Sequence, residues 1–327
     1  MSDTEIRQKL TGQQIKDLIS SLTVAPQTCG FEVFVITKSE PRLKKMGFYE
    51  ADGNNFRVKL KKMILGILSD KYNGEDVDYV PADRLADEQR KFYIIDTSEK
   101  YDPFAVLKTT EGSFSKEDIK DATGIAFSIR SGENHLWAYQ HLWAIMVPNR
   151  SKKNWMARIV SGAEEDIFEE LTDPIITIAE KIDLLVIGDH IITSNYNLMQ
   201  SSFGFQDYIR IRADKTIRAI EGKGIVANVE KLRDYVQRGN GKPKYAKKMM
   251  RISDSKVLKM NPEKLWKNIH KSTRWNGKIK ERNGKFVLDY YSDVENLIDL
   301  LDERYTRSDI TEIEYDTDVK QIAEPVK

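Results

Sequence analysis

Apolar residues recur at helical spacing at Ile6, Leu10, Ile15, Leu18 and Ile19, which predicts a first helix capped at Ser2 to Asp3 and ended by Pro26. Phe31 to Thr37 is dense in β-branched and aromatic residues and reads as a strand. The helical period returns from Asn55 to Leu68, with Phe56, Leu60, Met63, Ile64 and Leu68 facing inward. Val77 to Val80 and Phe92 to Ile95 are expected as short strands, and Asp102-Pro103 opens a short helix. A loop over Thr109 to Ser115 is the expected first domain boundary.

The second half opens with strands. Gly124 to Arg130 and Asn134 to His141 flank Ser131-Gly132, a hairpin signal, and Trp143 to Val147 continues the apolar pattern. Ile175 to Ile178 leads to Ile182 to Ile187, which turns at Gly188-Asp189 into His190 to Ser194 as a second hairpin. The period is helical from Leu198 to about Glu221 and stops at Gly222 and Gly224, after which Asn228 is placed to cap a helix running to Gln237. Lys244 to Met250 and Pro262 to His270 follow as short helices, the second capped by Asn261. Asn283-Gly284 marks a hairpin, Ser292-Asp293-Val294-Glu295 has the form of a capping box for a helix to Leu301, and the tail beyond Asp316 is expected to fray. The expected fold class is α+β: an N-terminal mixed α/β region, residues 1–112, then a β-hairpin-rich sheet with lysine-rich helices, residues 113–327.

A length of 327 residues predicts about two domains, and 40% hydrophobic with 31% charged residues is the composition of a globular chain with a well-solvated surface. The single cysteine, Cys29, and four scattered histidines exclude a disulfide framework and a Cys/His zinc site. The N-terminus has no secretory pattern and no window reaches the roughly 20 apolar residues of a spanning helix, so a cytoplasmic location is expected. No cofactor and no metal are expected.

Charge changes this picture most. Residues 238 to 285 hold sixteen Lys or Arg against Asp254, Glu263 and Glu281, although the whole chain sums to +1. Such a block is the usual footprint of a polyanion partner, because phosphate binding is driven by counterion release. The candidate nucleic-acid-binding residues are Lys242, Lys244, Lys247, Lys248, Arg251, Lys256, Lys259, Lys264, Lys267, Lys271 and Arg274. Lys244, Lys247, Lys248 and Arg251 share one helical face, and reversing their charge is expected to weaken binding without unfolding the chain. Tyr245, Trp266 and Trp275 are interleaved and stand either to stack on bases or to fill a core. A second reading is that the block docks on the chain's own acidic end, since residues 289 to 327 contain twelve acids and four bases.

Enzyme signals are weaker. Asp214, Glu221 and Lys223 stand in the order of a metal-dependent nuclease, but Asp214 and Glu221 fall at i and i+7 of a helical pattern, the spacing of a solvated helix face. Asp183, Asp189 and His190 surround the second hairpin, where turn chemistry accounts for Gly188-Asp189, and Trp137, His141 and Trp143 read as the two faces of a strand. No catalytic residue is assigned.

From about Asp121 onward the chain resembles the KwaB component of the Kiwa anti-phage defence system of bacteria. The resemblance lies in the hairpin Gly124 to Arg130 with His135 to Tyr139, in Ile182 to Met199 with Asp183, in Phe203-Gly-Phe, in the lysine-rich helical part, and in Ser308 to Thr311 followed by Tyr315. It implies a DNA-binding effector that works with a membrane-embedded KwaA-like subunit and hinders phage replication and transcription. Joined to the lysine-rich block, sequence-independent binding of double-stranded DNA is the expected function, with recruitment to the inner membrane through the partner. A homo-oligomer is expected. The competing functions are a metal-dependent nuclease and a non-catalytic interaction module with a basic docking face.

Overall fold

A computed structural model describes residues 10–48, 55–82, 91–97, 101–147, 157–161, 166–170, 175–237, 244–252, 255–272, 274–303, 305–307 and 314–316. The chain is mixed α+β and divides into two compact units, the first ending at Asn197 and the second starting at Leu198.

The first unit is built on a nine-stranded sheet. Its strands are β1 (Gly30–Thr37), β2 (Leu43–Lys45), β3 (Asp78–Pro81), β4 (Lys91–Asp96), β5 (Glu111–Ser113), β6 (Ala122–Ser131) and β7 (Asn134–His141). After a separate hairpin of β8 (Ala157–Ser161) and β9 (Asp166–Glu170), β10 (Leu184–Ile187) and β11 (His190–Thr193) complete it. The order is β3-β4-β11-β10-β7-β6-β1-β2-β5; only the edge pairs β2–β5 and β3–β4 are parallel. Helices α1 (Gly12–Thr23) and α2 (Phe56–Ile67) place Ile15, Ile19, Leu60 and Ile64 in one core with Val33, Val35, Ile125 and Phe127, the alternate residues of the central strands. The opposite face carries Phe34 against Trp137 and Phe104 against Tyr139, with ring centroids 5.2 and 5.1 Å apart. The second unit contains the end of α3 (Tyr196–Ser202), then α4 (Phe205–Gly222), α5 (Val229–Gln237), α6 (Lys244–Arg251) and α7 (Pro262–Lys271). The hairpin of β12 (Glu281–Arg282) and β13 (Lys285–Phe286) follows, then α8 (Tyr291–Leu301) and the pair β14 (Tyr305–Arg307) and β15 (Glu314–Asp316).

Several sequence expectations change here. Thr11, in a capping box with Gln14, starts α1; the cap expected at Ser2 to Asp3 lies outside the described residues, as does the tail beyond Asp316. Position 112, expected as a boundary, lies within β5 of the sheet, and β1 pairs along its length with β6 from beyond that point. Trp143 to Val147 does not prolong β7: Ala144–Met146 forms a 3-10 turn that leaves Trp143 and Ile145 exposed. The single helix expected over Leu198 to Glu221 is broken at Gly204, whose φ of +59° suits glycine. Asn228 exchanges two hydrogen bonds with the Leu288 backbone (2.6 and 2.9 Å), tying the start of α5 to the segment that follows β13. The capping residue of α8 is Tyr290, and Asp293 accepts from the Tyr290 and Asp289 N–H groups at 2.8 and 3.0 Å.

Candidate nucleic-acid interface

Helix α6 buries Ala246, Met249 and Met250, and it packs against α4 and α5. Lys248 and Arg251 are turned toward α8 and the residue that follows it. Lys247 and Lys248 are half-buried; the Lys248 ammonium lies 3.9 Å from Asp299, and the Arg251 guanidinium 3.6 Å from Asp302. A phosphate on this face would have to compete with the carboxylates of Asp299 in α8 and Asp302 just past it, so the docking on the acidic end that the sequence left open is realised for these two residues. Arg251→Glu would set a second carboxylate against the buried Asp302, so reversing the α6 charges is expected to cost stability as well as binding. Lys244 begins α6; Lys242 lies outside the described residues, as do the side chains of Lys244 and Tyr245.

Helix α7 is arranged differently. Asn261 accepts from the Glu263 N–H at 2.8 Å and Pro262 occupies the first turn, so the helix starts where the sequence predicts. Leu265, Trp266 and Ile269 are buried, which turns Lys264, Lys267 and Lys271 to solvent on a single face. Trp266 stacks on no exposed surface: its indole N–H donates to the Gly284 carbonyl at 3.0 Å and its ring lies 4.5 Å from that of Phe286. Trp275 is buried too, with the half-buried Arg274 guanidinium 5.0 Å from its ring, so these aromatics belong to the core and Arg274 is drawn toward it. The β12–β13 hairpin on which α7 rests turns through Asn283 and Gly284, both at positive φ, and exposes Arg282 and Lys285 at its tip. These two bases were outside the candidate set, although their position beside Asn-Gly marks them as exposed. Lys256 and Lys259 are exposed ahead of α7. Among the described residues, no carboxylate lies within ion-pair distance of Lys256, Lys259, Lys264, Lys267, Lys271, Arg282 or Lys285. Lys280 is the contrast. It bridges Asp289 and Asp293 at 3.6 and 3.0 Å, and its pKa is raised by the Asp293 bond.

The nuclease candidates are dispersed. Asp214 pairs with Arg218 at 2.7 Å along α4, and Glu221 pairs with Arg233 of α5 at 2.5 Å. Asp183 is buried and structural in its contacts, accepting from the His141 N–H at 2.8 Å with Lys181 at 3.2 Å. Asp189 receives Lys108 at 2.7 Å, while His190 faces Asp96 at 3.3 Å. Among the described residues no group of three or more His, Cys, Asp or Glu is placed to hold a metal ion.

A family profile described as Kiwa protein KwaB-like matches residues 119–311, more than half of the chain. The chain belongs to the KwaB family. The match runs from the lead-in to β6 through α8, so it includes the α6–α8 region that carries the basic block. Membership in the KwaB family makes the chain a component of Kiwa anti-phage defence, and the family implies a KwaA partner. No curated protein and no solved structure matches the chain. Among the described residues no helix is long and apolar enough to cross a membrane.

Proposed function

We propose that this KwaB-family protein binds double-stranded DNA without sequence preference and, acting with a membrane-embedded KwaA-like subunit, hinders phage replication and transcription. The observation that carries this reading is the face of α7: Lys264, Lys267 and Lys271 are exposed while the opposite side is anchored in the core. Stacked like charges repel by a few tenths of a kcal/mol per pair, and a phosphate backbone turns that repulsion into attraction. Lysine is a point charge suited to phosphates, whereas guanine edges are read by the arginine fork. Arg274 leans on Trp275 and Arg251 faces Asp302, which leaves Arg282 as the exposed arginine among the described residues of the block. Weak base readout follows.

The test is fluorescence anisotropy of the full chain on random and AT-rich duplexes across a salt series. With five to eight phosphate contacts the slope of log affinity against log salt is about −4 to −7, from roughly −0.9 per contact. Random and AT-rich duplexes should compete equally. A slope shallower than about −2 with otherwise tight binding would mean that the basic block is engaged by protein carboxylates, and would overturn the reading.

A further inference from the structure

The β12–β13 hairpin lies along the flank of α7 and is held there at two points. The Trp266 indole N–H donates to the carbonyl of Gly284 at the hairpin tip at 3.0 Å, and one helical turn later His270 Nε2 stands 3.2 Å from a carboxylate oxygen of Glu281 in β12. Asn283 and Gly284, both at positive φ, close a two-residue turn, so the tip has little freedom of its own. Register decides which hairpin side chains remain for a partner. Glu281 is paired with Phe286 and Arg282 with Lys285, and side chains alternate along a strand. Glu281 and Phe286 therefore share the face turned to His270 and Trp266, whose ring lies 4.5 Å from that of Phe286. Arg282 and Lys285 share the outer face, where both are exposed.

The geometry points to a two-element interface: Arg282 and Lys285 hold the phosphates of one strand of a duplex while Lys264, Lys267 and Lys271 hold those of the other, with Trp266 as the positioning residue that sets the distance between the two rows. The inference rests on the DNA-binding reading above and adds to it the element that makes duplex the preferred nucleic acid. Trp266 and His270 stand roughly 110° around the helix axis from the lysines, so the hairpin flanks the lysine face and leaves it open. Packed elements lie about 10 Å apart, between the roughly 6 Å and 12 Å widths of the minor and major grooves of B-DNA. Two rows of cations at that separation meet phosphates on both sides of a groove. A single strand offers one row and can satisfy only one of them.

The test is fluorescence anisotropy of the full chain on a labelled random-sequence duplex and on one of its strands alone, across a salt series. Arg282→Ala with Lys285→Ala removes two phosphate contacts, so the duplex salt slope should flatten by about 1.8 and duplex affinity near 100 mM salt should fall by about ten- to a hundredfold. Single-strand affinity should be unchanged, because the α7 row is intact. Trp266→Phe keeps a ring against Phe286 but loses the N–H that holds Gly284. With every base in place it should lower duplex affinity severalfold and again spare the single strand, a selectivity that a general loss of packing would not produce. If Trp266→Phe does not fold, the hairpin variant decides, since both of its positions are exposed. The inference is overturned if the hairpin variant keeps the parent's duplex affinity and slope, if it loses the single strand as strongly as the duplex, or if Trp266→Phe folds and binds duplex like the parent. Failure of the parent chain to bind duplex at all would instead take down the DNA-binding reading, and this inference with it.

Discussion

Arg251, at the end of α6, holds its guanidinium 3.6 Å from the carboxylate of Asp302, which is buried just past the end of α8. Fifty residues of chain lie between the two, so this pair, together with Lys248 and Asp299, joins α6 to α8 and its cap. A buried carboxylate stripped of its counterion keeps its desolvation cost and loses the attraction that offsets it.

Arg251→Glu is therefore expected to destabilise the protein by about 2–3 kcal/mol or more, whereas Lys264→Glu on exposed α7 should stay within about 0.5 kcal/mol. Urea unfolding midpoints of the two variants check this. Equal midpoints would mean that the α6–α8 pair contributes little.

The Asp293 carboxyl predicts an acid dependence. Burial acts to raise its pKa, but the Tyr290 N–H, the Lys280 ammonium and the Asp289 N–H together hold it below the ordinary carboxylate range. A group depressed in the folded state contributes stability above its unfolded pKa and loses it as pH falls through the folded value. The stability difference between the parent chain and Asp293→Asn should accordingly be full at neutral pH, shrink below about pH 4, and vanish under the lowered folded value. Unfolding midpoints at neutral, mildly acidic and strongly acidic pH measure it; a constant difference would show that the charge on Asp293 is not what stabilises the start of α8.

Local chemistry was legible in the sequence where a few neighbouring residues decide the outcome. Asn261 and Pro262 start α7, and Asn283-Gly284 turns the β12–β13 hairpin, each through contacts within its own segment. Pairing between distant segments was not legible. Phe31 faces Ile129 across β1 and β6, and nothing in either strand's composition names its partner. The same holds for the candidate site: the basic block is visible from composition, but Lys248 and Arg251 are committed by Asp299 and Asp302, and the α7 lysines by nothing comparable among the described residues. Trp266 could be read as a stacking platform until the Gly284 carbonyl placed its indole inside.

Gly124 offers a test of the sheet. Tyr139 lies opposite Ala126 in the β6–β7 register, its hydroxyl donates to the Thr123 carbonyl at 3.3 Å, and a Cβ at Gly124 would overlap its Cε2, Cζ and hydroxyl oxygen, all within 2.5 Å. Gly124→Ala should cost about 1–3 kcal/mol as overpacking. Adding Tyr139→Leu should recover part of that loss, so the double-mutant cycle should show a favourable coupling of about 1 kcal/mol in unfolding free energy. Additive losses would mean that the ring moves aside freely.

The decisive prediction concerns the face of α7. Lys264, Lys267 and Lys271 are exposed and remote from the buried side of their helix, so the triple glutamate variant should fold with nearly the parent midpoint. If each lysine neutralises one phosphate, removing all three should flatten the salt slope by roughly 2.5 to 3 and lower affinity near 100 mM salt by on the order of 10² to 10³. The loss should be the same on random and AT-rich duplexes, because contacts to phosphate position the protein without reading bases. Asp214→Ala with Glu221→Ala supplies the control: those carboxylates pair with Arg218 and Arg233, and their removal should leave duplex binding and its salt slope unchanged. A triple variant that folds normally and keeps both the affinity and the slope of the parent would place the DNA contacts elsewhere and remove α7 from the interface.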